Sequence, residues 1–181
     1  MRAVIDASVG VPFVHAEDVS AQVSRWIGRW ASAGSSLVVP THFWLEIVNS
    51  LARRHRYRGE AILEAVYELR QLPIETIELD EAAIFLVIDA TERHSLTAYD
   101  AQYLALSTQL DIPLVTLDRR LAAARGSKSI DPLALPGFAE TPAPYADPGV
   151  VTWPAYSGAA SYLASLRAGV TRGLAPDPRT A

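Results

Sequence analysis

The sequence contains no cysteine. That single absence removes disulfides, thiol nucleophiles, thiolate-bound zinc and iron–sulfur clusters. Histidine is scarce: His15, His42, His55 and His94 are the four present. None falls at HxxxH or HExxH spacing, which argues against a His-built zinc site. Lysine is almost missing, with Lys128 the sole example among sixteen basic residues. No window holds about 18 uninterrupted apolar residues, so no membrane-spanning helix is expected. The opening MRAVIDASVG carries an acid inside its only apolar run, unlike a secretory leader, and a cytoplasmic location is expected. Neither GxxxxGK(S/T) nor GxGxxG occurs, which leaves glycine-loop nucleotide binding without support. The net charge of −4 does not suit a simple basic coat for nucleic acid. It leaves a metal-dependent enzyme open, and any metal would be a hard one held by oxygen.

What remains is an ordinary globular composition. The 181 residues are 50% hydrophobic and 20% charged, enough for one domain with a sizeable core. The chain is not uniform, however. Residues 1–138 carry the whole net charge of −4, and residues 139–181 are neutral. Eight of the twelve prolines lie from Asp131 onward, a density that forbids a long helix or a central strand there. We read a compact domain over 1–138 followed by a Pro-rich C-terminal tail over 139–181. Within that tail only Ala159–Val170 has the pattern of a short helix, and the tail is expected to be dispensable for fold and chemistry.

Within the domain, strand and helix patterns alternate. Strands are expected at Ala3–Ile5, Leu37–Val39, Ile74–Leu79, Pro113–Leu117 and Ser129–Asp131. The Ile74–Leu79 run alternates with acids, as a strand with one wet face or at a sheet edge does. Helices are expected over Ala16–Ser32, with Gly34 as C-cap, and from Pro40 and Thr41 to Tyr57, with Gly59 as the stop. Three more are expected over Glu60–Leu72, from the Asp80 cap to His94, and over Ala98–Leu110. This order predicts an α/β fold: a doubly wound parallel sheet flanked by helices.

Such a sheet places its ligands beyond the C-terminal strand ends, where the strand order reverses. Asp6 follows the first strand directly, and Asp118 follows PLVTL. Glu46 lies in the first two turns of the helix after Leu37–Val39, and Asp100 in the first turn of the helix beginning near Thr97. Each has a bland reading: an Asx turn for Asp6, helix caps for Asp100 and Asp118, a solvated stripe for Glu46. Caps alone, however, do not predict four acids from four segments at one sheet end. Gathered anions repel, and the cost is offset by protonation or by a bound cation. Magnesium or manganese suits an all-carboxylate site.

The segments VIDASV around Asp6, WLEIVNSL around Glu46, LTAYDAQYLALS around Asp100 and PLVTLDRRL around Asp118 resemble the PIN domain. More narrowly, they resemble the VapC-type toxins of prokaryotic toxin–antitoxin pairs. The resemblance covers about residues 1–138. It implies a metal-dependent endoribonuclease that cleaves RNA phosphodiester bonds with a metal-activated water. Asp6, Asp100 and Asp118 would hold Mg²⁺ or Mn²⁺, with Glu46 as a fourth catalytic acid. It also implies Ser8, Asn49 and Thr116 as supporting polar residues, a VapB-like antitoxin partner and a homodimer. The tail is a departure from such toxins. Arg53 and Arg54 at the end of the Glu46 helix, and Arg119 and Arg120 after Asp118, are candidate RNA contacts. The competing reading is a catalytically silent PIN-like module for RNA binding or scaffolding. That reading calls for a missing acid, and all four are present.

Overall fold

A computed structural model describes residues 1–134. The expected tail, its short helix and the domain boundary at Phe138 lie outside the described residues. Five parallel strands form one sheet: β1 (Arg2–Ile5), β2 (Ser36–Pro40), β3 (Ile74–Ile77), β4 (Leu114–Val115) and β5 (Ser129–Ile130), in the order β3-β2-β1-β4-β5. The helices are α1 (Ala7–Val14), α2 (Ser20–Ser32), α3 (Phe43–Asn49), α4 (Gly59–Arg70), α5 (Glu81–His94), α6 (Ala98–Gln109) and α7 (Arg119–Arg125). The strand order reverses between β1 and β4, so the crevice beyond those two strand ends is where a ligand site belongs. The doubly wound α/β expectation therefore holds, and β3 is an edge strand, one of the two placements its mixed pattern allows.

The sheet is buried where it meets both helical layers. Ala3, Val4 and Ile5 of β1 and Val38 and Val39 of β2 have no exposed surface, as expected of a parallel sheet covered on both faces. Gly34 adopts φ +67° at the end of α2, the left-handed cap for which glycine is suited. No helix among the described residues is long and apolar enough to cross a membrane.

Several expected boundaries move. Helix α1 was not expected, because ASVGVPFV has no polar face to give a period and contains Gly10 and Pro12. It forms because Asp6 sits in extended backbone at its N-cap and because its apolar residues bury on nearly all sides. Gly10 lets α1 pack closely on α3: a Cβ would lie 2.7 Å from Phe43 Cζ and 2.8 Å from Ile47 Cδ1, so those side chains would have to shift. Residues 16–19 stay outside α2, because the Ser20 hydroxyl accepts from the Glu17 N–H and donates to the His15 carbonyl, closing a turn. The helix expected to reach Tyr57 instead passes from α3 into a π-helical stretch, Ser50–Arg54. The His55 N–H closes that wide turn on the Ser50 carbonyl, and Arg56, at φ +61°, turns the chain away. Gly59, expected to stop this helix, opens α4 instead. The strand at Pro113–Leu117 shortens to β4, Leu114–Val115; Thr116 still donates its N–H to the Ile130 carbonyl, while Leu117 and Asp118 line the cleft described next.

Candidate active site

Asp6, Glu46, Asp100 and Asp118 line one cleft of about 440 Å³ at the switch point. Ser8, Asn49, Arg54, Tyr103 and Leu117 share its wall, and Glu17 reaches its rim. Each acid arrives by a local device. Asp6 ends β1 and is the N-cap residue of α1, yet its side chain makes no capping bond. It turns instead to two hydroxyls. Ser8 Oγ donates to Oδ1 at 2.7 Å and Thr116 Oγ1 donates to Oδ2 at 3.0 Å. With both hydroxyl protons so used, the 3.5 Å Ser8–Thr116 approach is a contact rather than a bond. Both hydroxyls accept in turn, from the Leu117 N–H at 2.9 Å and the Asp118 N–H at 2.9 Å. This wiring presents Asp6 with donors only, which suits the ionised carboxylate.

Asp118 serves two purposes. Oδ1 caps α7 by accepting from the Arg120 and Leu121 N–H groups, while the side chain lines the cleft. Asp100 is similar: Thr97 Oγ1 accepts the Asp100 N–H and donates to its carboxylate. The capping readings of Asp100 and Asp118 and their site placement are therefore compatible. Glu46 is half-buried on α3 and accepts from the Tyr103 hydroxyl of α6. It does not belong to a stripe of core residues, since Leu45 is 65% and Val48 38% exposed. Glu46 lies instead between the core and that exposed flank.

Electrostatics follow from this crowding. Burial, with Asp118 and Glu46 adding repulsion, pushes Asp6 up to about 7 against the pull of its two hydroxyl donors. Burial also raises Glu46, with Asp100 adding to it, while Tyr103 and His42 pull the other way. Tyr103 is driven upward by burial first and then by Glu46, so it remains a protonated donor. The cleft thus holds more negative charge than its hydrogen bonds neutralise, and a cation would relieve it. The donor set is all oxygen, which fits a hard divalent ion. The four acids are not among the groups of three or more ligating side chains whose atoms all lie within 4.8 Å of one another. Some of them would reach an ion through water, as Mg²⁺ tolerates well.

Of the basic candidates, Arg54 lines the cleft. Arg53 and Arg119 are exposed outside its lining. Arg120 is exposed and directs its guanidinium to the Ser95 carbonyl. Asn49 lies at the exposed edge of the cleft. Tyr103 was missed by sequence reasoning. Its place within YDAQYLAL, three residues after Asp100, was a signal that it shares that helix face.

The PIN domain family model matches residues 3–126. Ribonuclease VapC1 of Mycobacterium tuberculosis is 65% identical over 34 residues, which is 19% of this chain. The chain covers only 26% of that relative's length. Among solved structures, Mycobacterium tuberculosis VapC20, described as a toxin that cleaves the sarcin–ricin loop, aligns with a TM-score of 0.56 at 18% identity. The alignment covers 67% of this chain and 94% of that one. A toxin–antitoxin complex from Klebsiella pneumoniae aligns with a TM-score of 0.57 at 13% identity, over 72% of this chain and 97% of that one. At such identities these structures speak for the fold.

Proposed function

Because the chain belongs to the PIN domain family, we propose that it is a metal-dependent endoribonuclease and the toxin of a VapBC-type toxin–antitoxin pair. One observation carries the reading. Four carboxylates from four separate segments meet at the sheet's switch point, with Asp6 buried among them and wired as an acceptor. Asp6, Asp100 and Asp118 would hold Mg²⁺ or Mn²⁺, with Glu46 acting through water. When bound, such an ion neutralises charge on a phosphodiester and lowers the pKa of an attacking water. The chain's own residues do the rest. Ser8 and Thr116 fix the Asp6 carboxylate, Tyr103 fixes Glu46, and Asn49 and Arg54 offer polar and positive contacts to the RNA backbone at the rim. Activity in the cytoplasm follows from the same reading.

Similarity to a ribonuclease and to a toxin–antitoxin complex supports an RNA substrate and a VapB-like antitoxin. The homodimer rests on exposed apolar side chains: Leu45 and Val48 on α3, and Ile84, Phe85 and Ile88 on α5. Exposed apolar surface that is contiguous marks protein contacts.

The test is cleavage of labelled RNA by the full chain. Activity is expected with Mg²⁺ or Mn²⁺, lost in EDTA, and reduced by orders of magnitude in Asp6→Asn and Asp118→Asn. Undiminished cleavage in EDTA overturns the metal-dependent reading. RNA binding without any cleavage in either metal favours the silent module.

A further inference from the structure

Linear HxxxH or HExxH spacing is absent, but the fold brings two distant histidines and a glutamate together. His15 caps the C-terminus of α1, Glu17 follows in the turn to α2, and His55 ends the π-helical stretch after α3. Forty residues separate the two histidines, yet their ring centroids lie 3.8 Å apart. Among the described residues this is a group whose ligating atoms all lie within 4.8 Å of one another. We infer that His15, Glu17 and His55 form a second metal site, distinct from the four acids, that takes a borderline transition ion such as Zn²⁺.

Two independent features support it. First, the His55 side chain is only 9% exposed, and its Nε2 is fully buried without a hydrogen-bond partner. Buried polar nitrogens are rarely left so. Glu17 Oε1 lies 3.4 Å from that nitrogen, without the alignment of a hydrogen bond. Tetrahedral bonds of about 2.1 Å set neighbouring ligand atoms about 3.4 Å apart, so this separation suits two ligands of one ion. Second, the group is held in place before any ion binds. The Tyr57 hydroxyl engages His15 Nδ1 at 3.0 Å, an outer partner of the kind that orients ligating imidazoles. The Ser20 hydroxyl pins the 15–17 turn through Glu17 N–H and His15 C=O.

Two imidazoles and one carboxylate favour zinc-like ions over Mg²⁺. Three protein ligands leave a position for water. An ion held here would tie the end of α1 to the end of the helix that carries Glu46, beside a cleft whose rim Glu17 already forms.

The test is Zn²⁺ titration of the full chain, without an affinity tag, by calorimetry and thermal melting. One equivalent is expected to bind and raise Tm, in wild type and in the Asp6→Asn/Asp118→Asn double variant alike. Glu17→Gln and His55→Ala are expected to lose more affinity than the roughly 10–100-fold typical of an outer-sphere partner. If His55→Ala does not fold, Glu17→Gln carries the test alone. No binding by wild type overturns the site. So does binding that Glu17→Gln keeps and the acid double variant loses, which would place the ion in the acidic cleft.

Discussion

Thr116 Oγ1 donates to Asp6 Oδ2 at 3.0 Å, joining the exit of β4 to the exit of β1 across 110 residues of chain. The same hydroxyl accepts the Asp118 N–H, so one threonine aligns two of the four acids. Thr116→Val keeps the shape and removes both functions. The Asp6 pKa should rise further, because one of the two donors that lower it is gone. The acid limb of the pH–rate profile should move to higher pH, and stability should fall by about 1–2 kcal/mol. An unmoved acid limb would remove Thr116 from the positioning of Asp6.

The raised Asp6 makes a signed prediction about stability. Burial pushes it from an ordinary 3.8 to about 7. Between those values the folded, metal-free protein binds a proton that the unfolded chain does not. Its stability is therefore greatest below pH 4 as far as this group is concerned. It falls as pH rises toward 7, by about 4 kcal/mol, and levels above that. Asp6→Asn should flatten the slope and melt higher than wild type at pH 8 in metal-free buffer. Saturating Mg²⁺ should flatten it in wild type. Denaturant melts at pH 4, 6 and 8 decide the matter, and a less stable Asp6→Asn at pH 8 would return Asp6 to a purely structural role.

Tyr103 and Glu46 give a graded pair. Glu46→Gln is nearly isosteric and should lower cleavage by orders of magnitude while α3 stays folded. Tyr103→Phe leaves the carboxylate but removes its donor, so Glu46 should titrate still higher. Turnover at neutral pH should fall about tenfold, recovering in part as pH rises. Identical pH–rate profiles for wild type and Tyr103→Phe would contradict this.

Two arginines, one lining the cleft and one held in a part-buried hydrogen-bond network, should fail in different ways. Arg54→Ala should weaken RNA binding and reduce the magnitude of the salt slope by about 1, with Tm unchanged. Arg125 donates to Ser107 Oγ at 2.6 Å and to the carbonyls of Ser107 and Ile112. Its loss should cost about 1–3 kcal/mol of stability and leave the salt slope alone. Fluorescence anisotropy at several salt concentrations, beside thermal melts, separates the two.

Gly10→Ala probes the contact on which Glu46 depends. The new Cβ would overlap Phe43 and Ile47, displacing α3, so stability should fall by about 1–3 kcal/mol. RNA cleavage should drop with it. A variant with wild-type Tm would show that α1 and α3 can separate at little cost.

The parallel α/β class was decided by local pattern. Continuous apolar runs at Ala3–Ile5 and Leu37–Val39, alternating with helical periodicity, suit only a sheet covered on both faces. That class in turn directs Asp6 and Asp118 to strand exits, since residues that follow a parallel strand emerge at one edge. Capping chemistry is local as well, so Thr97 with Asp100 and Asp118 with α7 behaved as their spacing implied. Long-range packing decided the rest. Helix α1 carries no period because it is buried nearly all round, and its one constraint, the missing Cβ of Gly10, lies in contact with α3 rather than in the neighbouring sequence. The π-helical stretch Ser50–Arg54 and the left-handed Arg56 carry no mark in the local sequence pattern. Whether Glu46 faced solvent or site was settled by a tyrosine 57 residues away. The meeting of His15, Glu17 and His55 has no linear signature at all, because two loops 40 residues apart become neighbours only when α1 packs on the helix that follows β2.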